Sequence, residues 1–524
     1  MSDQPYFRPR PDAPAGASGL VLEEPLIFER GAQGRSGVSL PAPGVPRRDP
    51  ADELGAAYLR PPADPREGLP AVSEPEVVRH FTRVSQWNYG IDSGLFPLGS
   101  CTMKYNPRVN EAAARLPGLA MAHPYLPEEK LQGPLALMVG LQEALAEISG
   151  FAAVTLQPAA GAQGELAGVL MMRAYHEAHH GGPRKKILVP ASAHGTNPAT
   201  ATLAGYQTVE IRAGDQGWVL PEAVAEVMDE EVAGLMITNP NTLGIFEPHI
   251  AEIAEIVHAK GGLVYCDGAN MNALLGKARP GDMGIDLMHF NLHKTFTTPH
   301  GGGGPGAGPV GVVEALEPFL PTPVVRRADG RYALDYDRPQ SIGRLKAFYG
   351  NFGVLVRAYT FIRELGAAGL SQATELAVLN AAYLRARLAS PEGGGFEVAF
   401  AAESLHEAVF SDASFKAEGV STHDVAKRLI DYGFHPPTVY FPLVVSGALM
   451  VEPTETESRE NLDGFVEAMR TISREATESP ELLQAAPTRT IRRRLDETRA
   501  ARSPVLRWTP DLDERVEAQA KGKR

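Results

Sequence analysis

The chain has 524 residues, 44 % of them hydrophobic and 22 % charged, which are ordinary globular values in a chain too long for one ordinary domain. Fifty Lys and Arg against 63 Asp and Glu give a net charge of −13 with no long basic stripe, so neither nucleic acid nor an anionic membrane is an expected partner. Two cysteines, Cys101 and Cys266, leave no disulfide framework, and no apolar stretch approaches the roughly 20 residues that span a bilayer.

The N-terminus (MSDQPYFRPRPDAPAG) carries acids and many prolines and has no apolar h-region, so no secretory or transit peptide is expected and a soluble cytoplasmic protein is the expectation. Residues 1–70 hold 13 of the 44 prolines, which predicts an extended arm. Residues 20–22 and 25–28 are apolar enough for that arm, taken as 1–90, to wrap over a partner. Residues 95–107 (LFPLGSCTMKYNP) read as a loop, and 134–148 as a helix stopped by Gly150.

From about residue 151 strands alternate with helices. Strands are predicted at 154–156, 186–190, 207–211, 234–238 and 263–266, and helices over 166–179, from Pro221 onward, and over 248–260. That alternation predicts an α/β large domain over 91–340, with a mostly parallel sheet and helices on both faces. After the glycine run 301–308 the pattern changes. Long helices fit 344–366 and 371–388, strands fit 396–400, 407–410 and 441–445, and helices fit 422–432 and 456–476. These define a smaller α+β C-terminal domain over 341–480, followed by a charged tail over 481–524. The cluster RTIRRR (489–494) in that tail reads as a solvated face or a docking patch.

Several residues in this frame carry chemistry. The loop 159–165 follows a strand and opens a helix, so its glycines allow backbone N–H groups to approach an anion. An ordinary strand-to-helix turn explains it equally well. It does not fit G-x-G-x-x-G, and no Lys-Ser/Thr follows Gly301–Gly304 at nucleotide-loop spacing. His194 lies just past a strand end, where it serves either as a ring that stacks on a flat ligand or as a structural histidine. Asp267 ends a strand and either caps the following turn or pairs with a buried cation, and Ala269 is small enough to lie against a planar ring. Lys294 follows 27 residues later in an apolar segment, where lysine is rare. Asp at one strand end and His-Lys at the next are what an enzyme needs to hold pyridoxal phosphate. The amine takes the aldehyde covalently and the carboxylate pairs with the pyridinium nitrogen. No metal site is expected.

The segments LFPLGSCTMKYNP (95–107), HPYLPEEKLQG (123–133), QPAAGAQGELAG (157–168), PASAHGTNPATA (190–201), NPNTLGIFE (239–247), CDGANMNALLG (266–276) and GDMGIDLMHFNLHKTFTTPHGGGGPG (281–306) resemble the P-proteins of the glycine cleavage system. These are the glycine dehydrogenases (decarboxylating), and the likeness is to the cofactor-bearing second subunit of two-subunit forms. The resemblance implies a fold-type-I transferase dependent on pyridoxal phosphate. Its reaction would decarboxylate glycine and transfer the aminomethyl group to the lipoyl arm of an H-protein. A separate first subunit in an α2β2 heterotetramer is implied as well.

By the same resemblance Lys294, His194 and Asp267 are the expected catalytic residues. Together with Ala269, Gly161, Ala162, Gln163, Asn239 and His293 they are expected to bind the cofactor. His293 is equally explained as a packing residue. Ser100, Cys101, Thr102 and Asn270 are expected to bind substrate, and Cys101 has a plain packing alternative. A narrow channel for the lipoyl arm is expected. Two rivals stay open. One is another amino-acid decarboxylase or an aminotransferase, for which Arg344 or Arg357 would supply a second carboxylate contact. The other is a non-catalytic scaffold, which the presence of both Asp267 and Lys294 argues against.

Overall fold

A computed structural model describes residues 24–31, 35–39, 41–59, 70–299, 304–416, 418–506 and 508–509. The apolar residues 20–22 and glycines 301–303 lie outside them. The chain divides into two compact units, residues 1–90 with 489–524, and residues 91–488.

In the first unit a buried carboxylate organises the described residues. Glu24 lies 2.7 Å from Arg30, 2.8 Å from His80 and 2.5 Å from Arg83, so three basic groups satisfy one buried acid. His80 and Arg83 share a face of the helix Glu74–Ser85, which opens with a reciprocal cap between Ser73 and Glu76. Phe28 stacks on Trp508 with ring centroids 5.6 Å apart.

The second unit is built on a seven-stranded sheet. Its strands are β1 (Ala153–Thr155), β2 (Lys186–Pro190), β3 (Gln207–Ile211), β4 (Val232–Thr238), β5 (Leu263–Gly268), β6 (Leu287–Phe290) and β7 (Val310–Val312). Their spatial order is β1-β7-β6-β5-β4-β2-β3. Only β7 runs against its neighbours, pairing antiparallel with both β1 and β6, so the other six strands point the same way. Every residue of β4 and β5 is buried, as expected of central strands covered on both faces. The loops after β1, β2, β4, β5 and β6 therefore gather at one carboxyl edge, where ligands of such sheets bind.

Close backbone approach is built into this sheet. A Cβ at Gly234 would collide with the Leu263 carbonyl oxygen on the neighbouring strand and with the Met172 methyl of the helix Gly161–His180. Gly234→Ala is expected to lower stability by about 1–3 kcal/mol through overpacking, read as a shift of the denaturation midpoint at unchanged slope.

Helix ends follow local chemistry. The helix Gln132–Ser149 presents Leu135, Met138, Leu141 and Leu145 to the core and stops where Gly150 adopts φ 79° and donates its N–H to Ala146. The long helix expected from 344 begins instead at Phe352. The Asn351 side-chain amide is drawn out to the carbonyls of Ala159 (3.0 Å) and Gly306 (2.5 Å), which holds the preceding segment off the helical path. The helix then runs to Ala389 with one break at Gly366, whose φ of 61° and ψ of −175° interrupt the helical ladder.

Beyond the hairpin β8 (Val324–Ala328) and β9 (Arg331–Asp335), a second sheet is formed by β10 (Ala408–Phe410), β11 (Thr438–Val439) and β12 (Leu449–Val451), with β12 in the middle. The strand expected at 441–445 is instead part of the excursion between β11 and β12. Pro442 has no N–H to give a ladder there, and Leu443 is 87 % exposed. Residues 396–400 make a single bridge, Val398 to Phe410.

Candidate active site

Two neighbouring strand ends carry the centre of the site. The register places Asp267 of β5 opposite Thr238 of β4 on one side and His289 of β6 on the other. One Asp267 oxygen accepts the Asn197 amide at 3.2 Å. The other accepts the Ala269 N–H at 2.9 Å and lies 3.3 Å from His289 Nε2. Behind it the Tyr265 hydroxyl sits 2.5 Å from His289 Nδ1, and the Asn291 amide lies 2.9 Å from Nε2. Burial alone would push the Asp267 carboxyl up. The His289 ring, Lys294 and the hydrogen bonds from Ala269 and Asn197 outweigh it and hold the carboxyl below its ordinary range. A buried acid kept ionised and surrounded by donors is ready to receive a cation.

After β6 the chain makes one helical turn, Leu292–Thr295, that turns Lys294 toward the same edge. Its Nζ donates to the Ser100 carbonyl at 2.8 Å. Ser100 itself has φ 61°, a left-handed conformation costly for a residue with a Cβ, and its N–H donates to Glu407 at 2.8 Å. The loop is tied further along: the Thr102 hydroxyl donates to Glu452 at 2.6 Å, and Lys104 reaches Asn272 at 2.6 Å and Glu455 at 2.5 Å. Cys101 lies 3.9 Å from the Met103 sulfur, and burial pushes its thiol up, so it is a thiol rather than a thiolate at neutral pH.

The segment expected as a glycine loop is mostly helix. Gly161, Ala162 and Gln163 form the first turn of Gly161–His180. A Cβ at Gly161 would lie 2.6 Å from Asn291 Oδ1, and one at Gly164 would lie 2.8 Å from the Gly308 carbonyl and His289. These glycines thus seat the helix start against β6, with its unpaired first-turn N–H groups at the carboxyl edge. The Gln163 side chain closes the turn by accepting the Ala159 N–H at 2.7 Å.

The remaining expected residues occupy the same rim in different ways. His194 is exposed, 2.8 Å from the Thr196 hydroxyl and edge-on to Phe441. Asn239 accepts the Glu247 N–H at 3.0 Å, while its buried Nδ2 has no hydrogen-bond partner among the described residues. The buried Asn270 amide donates to the carbonyls of Pro240 (2.9 Å) and Asn241 (3.2 Å), tying the loop after β5 to the loop after β4. His293 is half-buried, with Nδ1 3.4 Å from the Ala307 N–H. Arg357 is committed to Glu111 through two bonds of 2.6 and 3.0 Å, and Arg344 is exposed over the rings of Tyr336 and Tyr349.

Sequence reasoning missed four residues here. Asn197 and His289 flank Asp267, and Glu407 and Glu452 hold the loop that meets Lys294. His289 lies opposite Asp267 on the adjacent strand, but its place inside an apolar run masked it. Glu407 and Glu452 flank short apolar runs, and an acid beside a buried strand was the one signal available.

Residues 373–491 match the family described as glycine dehydrogenase, C-terminal domain, and residues 167–304 match aminotransferase class-V. A probable glycine dehydrogenase (decarboxylating) subunit 2 of Bacillus licheniformis is 56 % identical over 487 residues, covering 93 % of this chain and 99 % of its own. A protein of the same description from Listeria innocua is 54 % identical over 496 residues, covering 94 % of this chain and all of its own. Among solved structures, a glycine decarboxylase (P-protein) of the glycine cleavage system, in inhibitor-bound form, superimposes with a TM-score of 0.68 at 23 % identity, covering 80 % of this chain and 94 % of that one. An aspartate aminotransferase of Thermus thermophilus gives a TM-score of 0.54 at 19 % identity, covering 73 % and 99 %. These two likenesses establish the fold, that of the fold-type-I transferases.

Proposed function

The chain belongs to the family of glycine dehydrogenase (decarboxylating) subunit 2, and from that membership we propose that it decarboxylates glycine with pyridoxal phosphate as cofactor and passes the aminomethyl group to the lipoyl arm of an H-protein. The number in the relatives' names implies a partner first subunit, and an α2β2 assembly is the form proposed. Among the described residues no helix is long and apolar enough to cross a membrane, and the cytoplasm is the proposed location.

One observation carries this reading. A buried, ionised Asp267 and the amine of Lys294 stand on adjacent strand ends of one carboxyl edge. The residues present fit the cofactor. Among the described residues, Asp267 has donors on both oxygens and no lysine or arginine hydrogen-bonded to it, and Asn197 Oδ1 and Asn239 Nδ2 are buried without partners. The first-turn N–H groups of Gly161, Ala162 and Gln163 suit a phosphate, favoured by the helix dipole.

When bound, pyridoxal phosphate supplies an electron sink for the pair left on glycine's α carbon as CO2 departs. Asp267 would hold a proton at the ring nitrogen, and His289 with Asn197 holds Asp267. Ala269 would offer a flat contact for the ring, His194 would flank it from the loop after β2, and Asn239 and His293 would complete the rim. Lys294 would hold the aldehyde and, once free, would move protons at Nζ. Ser100 and Cys101 would border the place of the glycine carboxylate, and Thr102 and Asn270, bonded to Glu452 and to the Pro240 and Asn241 carbonyls, would shape it from behind. Arg357, spent on Glu111, is not open to a second substrate carboxylate, which leaves Arg344 as the arginine the aminotransferase alternative would need.

The test is glycine-dependent exchange of labelled bicarbonate, with H-protein and the partner subunit present. Exchange is expected with glycine. Absence of exchange together with transamination of larger amino acids would remove this reading.

A further inference from the structure

Behind the loop that receives Lys294 lies a second group of acids that the proposed reaction has not used. Glu407 immediately precedes β10 and Glu452 immediately follows β12. These strands pair antiparallel with Ala408 opposite Val451, so the two acids emerge side by side. Glu407, Glu452 and His406 are at most 1 % exposed, and their nearest polar atoms all lie within 4.8 Å of one another. One Glu407 oxygen accepts the Ser100 N–H and one Glu452 oxygen accepts the Thr102 hydroxyl. Glu407 Oε1, Glu452 Oε2 and both His406 ring nitrogens have no hydrogen-bond partner among the described residues, and His406 Nε2 stays 3.9 Å from Glu407.

The charges around this group do not balance if both acids are ionised. The facing cations are Lys294, on the turn after β6, and Lys104, on the loop. Glu455 neutralises Lys104 at 2.5 Å, and Cys101, on the same loop, is a thiol. One ammonium therefore faces two buried carboxyl groups, where an uncompensated charge is costly. Burial, with Glu452 beside it, drives Glu407 well up. Burial lifts Glu452 to about 7 against the pull of Thr102, Lys294 and Lys104. Burial and Lys294 push His406 down to about 3, so its ring is neutral.

We propose that Glu407 and Glu452 share one proton and that the charge of this pair is coupled to that of Lys294, the two being joined through the Ser100 loop, whose carbonyl accepts from the amine and whose N–H donates to Glu407. When Lys294 becomes a neutral amine, an N–H bond of the ammonium breaks with its proton passing to solvent or substrate, and an O–H bond forms on the carboxylate of the pair with a proton taken up from solvent. Ammonium, carboxylate and carboxylic acid become amine and two carboxylic acids, so the group stays neutral and no electrons change hands. The reverse step recharges the amine. Both glutamates act through Lys294 and are positioning residues. The inference rests on Lys294 being the reactive amine proposed above.

Infrared difference spectra of the full chain at neutral pH, in H2O and D2O, test it through the carbonyl stretch of protonated carboxyl groups. The wild type minus E407Q/E452Q is expected to show one such group. Lys294→Met, which removes the cation, is expected to show two, doubling the band. The difference between Lys294→Met and wild type needs no glutamate variant, so it decides the matter even if E407Q/E452Q does not fold. A wild type without the acid band, or a band of equal size in Lys294→Met, overturns the proposal. Bicarbonate exchange is expected to fall about 10²-fold in E452Q and to recover in E452D. A wild type that exchanges nothing would instead defeat the glycine reading, leaving the infrared result to stand or fall by itself.

Discussion

Lys294→Ala is expected to lose glycine-dependent exchange by about 10⁴-fold or more, because one substitution removes both the covalent attachment and the mobile proton carrier. The chain should still fold. Lys294 is half-buried, and its side chain makes one hydrogen bond among the described residues, to the Ser100 carbonyl. Losing a donor to one carbonyl costs about 1–3 kcal/mol, and Glu407 and Glu452 can relieve the lost cation by taking up a second proton. The sharpest readout is covalent. Borohydride treatment of the wild-type holoenzyme should fix the cofactor and bleach its near-visible band, and mass spectrometry should place the adduct on Lys294. A Lys294→Ala protein that still carries borohydride-fixed cofactor would show that another amine does this work.

Asp267→Asn is the second large effect. The substitution keeps size and hydrogen-bonding shape but removes the charge that stabilises a protonated ring nitrogen, so exchange should fall by about 10²–10³-fold, the scale of losing one aimed electrostatic contact. Cofactor should bind more weakly, while fixation at Lys294 persists. Acid stability gives a second measurement. The Asp267 carboxyl is held below its ordinary range, so its contribution to stability is present above the unfolded-state value and is lost as pH falls through the lower folded-state one. That acid-dependent part should be missing from the Asn variant, whose stability profile should be flatter in acid. Full exchange by Asp267→Asn would end the assigned pairing.

Much of the scaffold was legible because it is written in local periodicity. β4 and β5 are continuous apolar runs, and such runs between helical segments point to a covered parallel sheet. Gly150 announced the end of its helix. Where reading failed, the deciding contact was distant. The helix that begins at Phe352 starts late because Asn351 is bonded to Ala159 and Gly306, some 190 and 45 residues away in sequence. The strand expected at 441–445 failed for a reason that was present locally, Pro442, which apolar composition outweighed in the reading. The glycines near residue 161 fit an anion loop and an ordinary strand-to-helix turn equally by sequence, and their neighbours show that they make room for β6.

The sequence by itself determined the alternation of strands and helices, the positions of Asp267 and Lys294 at strand ends, and the likeness to a family, since each is carried by residues close together in the chain. Only the tertiary structure decided what surrounds them. It set His289 across from Asp267 through strand register, and it brought Glu407 and Glu452 to Ser100 and Thr102 across 307 and 350 residues. Burial periodicity reports which face of an element is dry. It carries no information on which distant acid will share that dry space, because that depends on how separate elements pair.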